Sequence, residues 1–135
     1  GIPVTSSDPT SAGNDWVVLR YSDVLLMHVE AIMAGGASTS SSNAIASFQT
    51  VRNRAGLTDT VSSISKQELA DERRAELAFE NHRFFDLVRL GLAQDVLSAF
   101  SAANGLGYST TDLLLPIPSI EIGLSNGLLT QNPGY

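Results

Sequence analysis

The stretch LRYSDVLLMHVEAIMAGG, residues 19–36, combines a helical pattern of apolar residues with a glycine pair at its end. The apolar side chains recur at steps of three and four residues, which places them on one face of a helix. They are Tyr21, Leu25, Leu26, Val29, Ile32 and Met33. Glycine commonly follows the last turn of a helix because it adopts a left-handed backbone without steric cost. We therefore predict a first amphipathic helix over residues 15–34.

A second helix is predicted shortly after the first. Segment 37–42 is typical of a polar loop, and its last serines can cap a following helix. One face of that helix would carry Ile45, Phe48, Val51 and Ala55, and Gly56 would end it. Because short connections join antiparallel neighbours, these two helices are expected to form a hairpin.

The next two helices are predicted from a cap and from apolar spacing. Ser65 and Glu68 have the spacing of a capping box, so a third helix should start at Ser65 and run to about Glu80. Asn81 is a plausible break, after which a fourth helical segment extends to about Ala102. Gly91 lies within it and costs roughly 1 kcal/mol relative to alanine, so either a kink or a split into two helices is compatible with the sequence.

The C-terminal quarter is predicted to be mostly extended. Pro116 and Pro118 each disfavour helix at their own and at the preceding position, so segment 113–118 should be extended and partly buried. Residues 119–122 are long enough for one helical turn. The fold class predicted is all-α, with tetratricopeptide-like helical hairpins followed by an extended, loop-rich C-terminal tail, although no sequence period near 34 residues relates the hairpins. Residues 1–14 are assigned to an irregular leading segment and residues 15–135 to the helical domain.

Composition excludes several classes of function. The 135 residues include 14 acidic and 8 basic ones, a net charge of -6, so the basic surface that binds nucleic acid is not expected. The absence of cysteine excludes disulfides and cysteine zinc sites. The longest apolar runs are interrupted at His28 and Glu30 and fall short of the roughly 20 residues that cross a bilayer.

The densest polar stretch, residues 71–89, has two interpretations. Glu72, Glu76 and Glu80 are four residues apart, and on one helix face they could offer paired carboxylates for acid/base work on a glycoside. A glycosidase acid needs a raised pKa, whereas the nearby arginines at 73, 74 and 83 favour ionised carboxylates. The stretch is therefore interpreted as an ion-pair network, with the i,i+3 pairs Arg73–Glu76, Glu80–Arg83 and Arg83–Asp86 expected. No catalytic residue is predicted.

Metal and cofactor sites are not predicted either. His82 and Asp86 are four residues apart and could supply two ligands, but no third ligand follows at a recognisable spacing. The glycines at 35–36 and at 105 and 107 follow helices, so they lack the helix N-terminus that phosphate binding uses. His28 is interpreted as an ordinary helix-face residue.

Aromatic residues with a polar edge are the candidates for stacking on sugar rings, because they tolerate partial exposure. They are Trp16, Tyr21, Tyr108 and Tyr135. Core packing is expected instead for the phenylalanines, at positions 48, 79, 84, 85 and 100. Spacing alone does not assign any of these residues to a ligand, so the ligand-binding residues stay unknown at this point.

Several ordered blocks resemble the SusD/RagB family. Residues 19–27, LRYSDVLLM, with Glu30 and Ala31, are similar to the family's LRYADVLLMYAEA, and residues 51–57, VRNRAGL, to its VRARAGL. Residues 72–89 are similar to its ERRRELAFEGHRWFDLVR, with Asn81 at the usual glycine and Phe84 at the common tryptophan. The closing LLPIP at 114–118 and TQNPGY at 130–135 are also similar to family blocks, in the same order.

The resemblance implies the C-terminal, all-helical part of a longer nutrient-binding lipoprotein at the bacterial cell surface. Such proteins capture glycans, or sometimes other nutrients, and cap a SusC-like TonB-dependent transporter in the outer membrane, without cleaving bonds and without a cofactor. The lipid anchor would then lie on a missing N-terminal portion. Family ligand sites draw on variable loops outside the matched blocks, so the resemblance carries no site residue across.

Two functions are therefore weighed for the chain. The first is the binding subunit of an outer-membrane uptake system, with an electrically neutral ligand such as an oligosaccharide. The second is a helical-repeat module that binds a protein partner. Sugar binding predicts exposed aromatic rings flanked by polar groups, whereas a protein interface predicts a broad apolar patch.

Overall fold

The computed structural model describes residues 17–135, so the predicted leading segment and Trp16 lie outside the described residues. The described part contains six α-helices: α1 Tyr21–Met33, α2 Ser42–Arg54, α3 Lys66–Glu76, α4 Arg83–Arg89, α5 Ala93–Asn104 and α6 Ser119–Leu124. A 3-10 helix spans Thr110–Leu113, and the strands β1 Ser38–Thr39 and β2 Ile64–Ser65 form a two-stranded ribbon. The prediction of an all-α fold is confirmed.

The described residues divide into two compact units, one that ends at Ser65 and one that spans Lys66–Tyr135. In the first unit α1 and α2 form the predicted helical hairpin. Its core consists of fully or nearly fully buried apolar side chains: Leu26, Val29, Met33, Ala44, Phe48, Val51 and Ile64. Burying each of the larger ones contributes roughly 1.5–3 kcal/mol, which is why the apolar stripe decides the hairpin.

Helix α1 begins later than its sequence pattern suggested. Arg20 has extended backbone, with φ -125° and ψ 161°, and the helix starts at Tyr21 rather than near residue 15. Ser22 accepts a hydrogen bond of 2.6 Å from the Arg20 guanidinium, so a polar residue occupies a buried position of the first turn. The C-terminal end was predicted closely, since α1 stops at Met33 and Ala34 and Gly35 adopt left-handed backbone.

The two strands were not predicted. Ser38 lies opposite Ser65 and Thr39 opposite Ile64 in an antiparallel ribbon. The ribbon closes the segment between α2 and α3 back onto the loop after α1, and it carries Ile64 into the core with no exposed surface. Two residues per strand are too few for a period-two pattern to be recognised in sequence.

In the second unit the residues after Lys66 break into shorter helices than expected. Helix α3 starts at Lys66, next to the predicted capping serine, but it ends at Glu76 instead of about Glu80. The predicted fourth segment is split into α4 and α5. Gly91 has a φ of 71°, a backbone conformation that ends α4 and excludes a continuous helix. The split was one of the two alternatives open in the sequence.

The C-terminal tail is held by side chains rather than by a sheet. Gln131 accepts from the backbone N–H of Ile117 at 2.8 Å and donates to its carbonyl at 2.9 Å. Asn132 donates to the Leu115 carbonyl at 2.7 Å, and the Tyr135 hydroxyl donates to the Leu114 carbonyl at 3.0 Å. Prolines interrupt this segment and prevent a ladder, so amide and hydroxyl groups take up its backbone hydrogen bonds.

Candidate ligand-binding site

The polar stretch 71–89 is centred on a buried carboxylate. Asp86 on α4 accepts a hydrogen bond of 2.8 Å from Arg73 Nε on α3. Arg89 donates to the other Asp86 oxygen from Nε at 2.9 Å and from Nη2 at 2.7 Å. The side chains of Arg73 and Asp86 are only 3% and 5% exposed, so this pair ties two helices together out of contact with water.

The partners of Asp86 differ from the i,i+3 pairs expected for Arg83. Arg83 Nη1 donates to the backbone carbonyl of Ala70 at 3.0 Å, and the negative charge of Asp86 acts on Arg83 electrostatically. Residues 77–82 do not continue the helix, which removes the i,i+3 geometry between Glu80 and Arg83. Asp86 lies on the buried face of α4, where Arg73 from α3 reaches it.

The charge state of Asp86 follows from two opposed effects. Burial alone would raise its pKa, because a carboxylate is poorly solvated away from water. The hydrogen bonds from Arg73 and Arg89 outweigh burial and hold the pKa of Asp86 below its ordinary value. Asp86 is therefore ionised near neutral pH and acts as the counter-ion of a buried arginine.

The three glutamates of the catalytic alternative do not share one helix face. Glu72 and Glu76 belong to α3, but Glu80 lies beyond the end of that helix. Glu72 is buried and the other two are half-buried. The four-residue spacing would place Glu80 on the same helix face only if the helix continued past Glu76. The left-handed backbone at Phe79 and Asn81 shows that it does not.

A concave surface, here called the Phe79 depression, lies where α3 gives way to α4. Its volume is about 590 Å³, within the range of small-molecule sites. It is lined by Arg73, Arg74, Leu77, Ala78, Phe79, Asn81, His82, Arg83, Phe84 and Phe85. The lining thus combines aromatic rings with guanidinium, imidazole and amide groups.

Phe79 is fully exposed, which contradicts its predicted place in the core. Its φ is 67° and that of Asn81 is 64°, both in the left-handed region. For a residue such as phenylalanine this conformation costs about 1–2 kcal/mol. Phe85 and Phe100, each 59% exposed, also depart from the predicted core positions, whereas Phe48 is buried as predicted.

A second concave surface, the Tyr21 depression, lies on the first unit. It has a volume of about 380 Å³ and is lined by Arg20, Tyr21, Ser22, Leu25, Thr50, Val51 and Arg54. Tyr21 is 72% exposed even though it stands at an apolar position of the helical pattern. An exposed aromatic ring is thus flanked by hydroxyl and guanidinium groups, as sugar stacking requires.

The other candidate tyrosines are engaged within the protein. The hydroxyl of Tyr108 donates to Gln94 at 3.2 Å, and that of Tyr135 donates to the Leu114 carbonyl. Both side chains serve to hold loops of the second unit. Tyr21, by contrast, is an aromatic candidate that lines a concave surface.

The two histidines have different surroundings. His28 Nδ1 forms a hydrogen bond of 2.8 Å with Ser47 Oγ between α1 and α2, so it is a hydrogen-bonded helix residue. His82 lines the Phe79 depression. Across residues 17–135, no group of three or more histidine, cysteine, aspartate or glutamate side chains is placed to hold a metal ion.

Comparison with known proteins places this geometry in a family. The model of the SusD family matches residues 3–135. The chain belongs to the SusD family. A SusD-like protein of Formosa agariphila is 31% identical over 92% of the chain, and the starch-binding protein SusD of Bacteroides thetaiotaomicron is 32% identical over 100% of it.

A solved structure supports the same assignment. The structure of surface glycan-binding protein A from Bacteroides thetaiotaomicron is similar to 91% of this chain, with a TM-score of 0.75 and 30% sequence identity. The chain spans only about a quarter of these SusD-family proteins, 26% and 24% of the two sequences and 26% of the solved chain. Its helices thus match part of a larger family fold.

The left-handed backbone at position 81 explains one departure from the family pattern. The family block has glycine where this chain has Asn81, and a φ of 64° is a conformation that glycine adopts freely and asparagine tolerates better than other residues. Asn81, at a position where the family block has glycine, thus indicated a sharp turn beside Phe79. The exposure of the Phe79 ring had no such signal, because its spacing is that of a core residue.

Proposed function

We propose that the protein is the carbohydrate-binding component of a SusD-type uptake system, and that it binds without bond cleavage. Its relatives include a starch-binding protein and a surface glycan-binding protein. The observation that carries the proposal is the exposed ring of Tyr21 in a concave surface with Thr50 and two arginines. An aromatic face packs against the C–H face of a sugar while the polar groups bind its hydroxyls.

The experiment is a glycan array followed by calorimetry with the full-length protein. Tyr21→Ala should weaken binding of the selected oligosaccharide about five- to tenfold, the loss expected for an aromatic contact of about 1–1.5 kcal/mol. Tyr21→Phe keeps the ring and should bind within about twofold of the wild type. Phe100→Ala removes a ring that is also largely exposed, at 59%, but lies outside the depression, and it serves as the control.

Two results would contradict the proposal. If no glycan binds the full-length protein, the carbohydrate function fails. If Tyr21→Ala binds as tightly as Phe100→Ala, the Tyr21 depression is not the site. Circular dichroism melting curves of all three variants establish that any loss of affinity is not a loss of folding.

We further propose that these residues form the C-terminal portion of a longer lipoprotein at the cell surface, and that it associates with a SusC-like, TonB-dependent transporter in the outer membrane. The share of the relatives' length that the chain covers supports the first point. Among residues 17–135 no helix has the length and hydropathy needed to cross a membrane. Affinity purification from detergent-solubilised outer membranes should recover one dominant transporter, and the intact mass should exceed that of 135 residues. Recovery of the protein alone would contradict the association.

A second candidate, a module that binds a polypeptide, is favoured by one apolar row. Ile120 and Leu124 lie four residues apart on α6 and are 68% and 71% exposed, and Leu128 beyond them is 88% exposed. The occupant we propose is the remaining polypeptide of the longer SusD-family chain. Amide hydrogen exchange should then be slower at α6 in the full-length protein than in the 135-residue chain, and equal exchange would exclude this interface.

A further inference from the structure

We propose that the Phe79 depression binds an acidic sugar, whose carboxylate or sulfate group contacts Arg74 and Arg83 and whose ring lies against Phe79. This inference rests on the proposed carbohydrate-binding function and names the class of ligand. It departs from the electrically neutral ligand of the first functional hypothesis, because basic side chains are concentrated at this depression.

The first argument is the charge of the lining. The chain as a whole carries 14 acidic residues against 8 basic ones, yet three of those 8, Arg73, Arg74 and Arg83, line this one depression. None of the described residues that line it is acidic. Because Asp86 compensates Arg73, the charge offered to a ligand comes from Arg74, which is exposed, and Arg83, which is half-buried.

The second argument is the mutual effect of these two arginines. Burial and the positive charge of Arg74 lower the pKa of Arg83, and the negative charges of Asp71 and Asp86 only partly oppose this effect. Asp86 already accepts hydrogen bonds from two other guanidinium groups, and Asp71 accepts one of 3.0 Å from Gln67. An anionic group between Arg74 and Arg83 would offset their repulsion and form charge-assisted hydrogen bonds.

The third argument is the ring. Phe79 is fully exposed and has a strained, left-handed backbone, which is unfavourable in the free protein. Backbone strain of this kind is common at binding sites. Asn81 and His82 beside it supply an amide and an imidazole that can bind hydroxyl groups. A volume of about 590 Å³ suits a short oligosaccharide better than an extended peptide, which needs a long groove.

The test compares matched ligands on the full-length protein by calorimetry. The probes are a galacturonic acid oligomer, a sulfated galactose oligomer, a neutral galactose oligomer of equal length and an acidic peptide of the same net charge. We expect one of the two acidic sugars to bind at least about tenfold more tightly than the neutral one, and this preference should fall as salt rises. Which of them binds better distinguishes carboxylate from sulfate recognition.

Three variants assign the binding to this surface. Arg74→Gln should reduce the preference for the acidic sugar about tenfold and leave neutral sugar binding unchanged. Phe79→Ala should weaken binding of the acidic sugar and leave the Tyr21-dependent binding of the neutral sugar unchanged. Lys66→Gln makes the same charge change on the same helix, outside the depression, and should match the wild type.

Several results would overturn the inference while leaving the proposed function in place. They are equal binding of acidic and neutral sugars, an unchanged preference in Arg74→Gln, and tighter binding of the acidic peptide than of either acidic sugar. In each case a neutral glycan that still depends on Tyr21 would preserve the carbohydrate function. If no sugar of any kind binds, the proposed function and this inference both fail.

Discussion

Asp86→Asn removes the negative charge that compensates a buried arginine, and it changes the shape of the side chain very little. In the folded protein Arg73 is 3% exposed and the Asp86 side chain 5%, so water does not replace the lost carboxylate. Asparagine keeps one acceptor oxygen but also brings two N–H donors toward guanidinium donors. The substitution therefore isolates the effect of charge within one buried cluster.

The expected loss of stability follows from how far each arginine that loses the Asp86 carboxylate is exposed to water. Leaving one charge of a buried pair uncompensated costs about 3–5 kcal/mol. The Arg89 side chain is 38% exposed and is solvated in the variant, so its share is at most about 1 kcal/mol. Because asparagine retains one hydrogen-bond acceptor, we expect the lower end, about 3 kcal/mol, a large part of the roughly 5–15 kcal/mol that stabilises a domain.

Urea unfolding followed by circular dichroism measures the effect, and amide hydrogen exchange at α3 and α4 locates it. Arg89→Gln is the control and should cost about 1 kcal/mol or less. The double variant Arg73→Met with Asp86→Leu should recover most of the loss, because apolar side chains of similar volume replace a buried ion pair at little cost. A loss below about 1 kcal/mol in Asp86→Asn, or one equal to that of Arg89→Gln, would refute the reasoning.

Three further outcomes are expected. The pKa of Asp86 is lower in the folded than in the unfolded chain, so its contribution to the free energy of unfolding is complete above the unfolded value of about 4 and is lost as pH falls through the folded value. Urea midpoints measured from pH 6 to pH 2 should therefore converge for the wild type and Asp86→Asn. A constant difference between the two midpoints would contradict this. Asn81→Gly should leave the melting temperature equal or higher. Asn81→Val should lower the free energy of unfolding by about 1–2 kcal/mol, because position 81 has left-handed backbone. Equal melting temperatures for the two variants would show that the turn changes conformation to accommodate valine. Gln131→Ala removes both bonds to Ile117 and should cost about 1–3 kcal/mol locally; hydrogen exchange of the Ile117 amide would rise, and unchanged exchange would show that the tail is held otherwise.

Much of the fold could be predicted because it follows local rules. The apolar stripe of Leu26, Val29 and Met33 faces the core of the helical hairpin, as its spacing required. The third helix starts next to the predicted cap, and within the segment predicted to be extended Leu114 has extended backbone, although Leu113 belongs to the 3-10 helix. These features depend on side-chain period, helix capping and proline geometry, all of which act over a few neighbouring residues.

The candidate surfaces could be predicted only in part. Tyr21 was a candidate by residue type, but the same helical pattern placed it among the apolar positions, and its 72% exposure is a property of the folded hairpin. Phe79 was expected in the core because its spacing continued a helix that in fact ends at Glu76. A single change of backbone direction turned the predicted core residue outward.

The sequence by itself determined the family, the all-α class and the approximate helices, because ordered blocks of residues and their periodicity are properties of the chain. The tertiary structure alone decided which charges meet. Arg73 and Asp86 are 13 residues apart and on different helices, and their contact exists only when α3 and α4 pack. The same packing and the left-handed turn between these helices leave Arg74, Phe79 and Arg83 around one depression, where the proposed acidic sugar would bind.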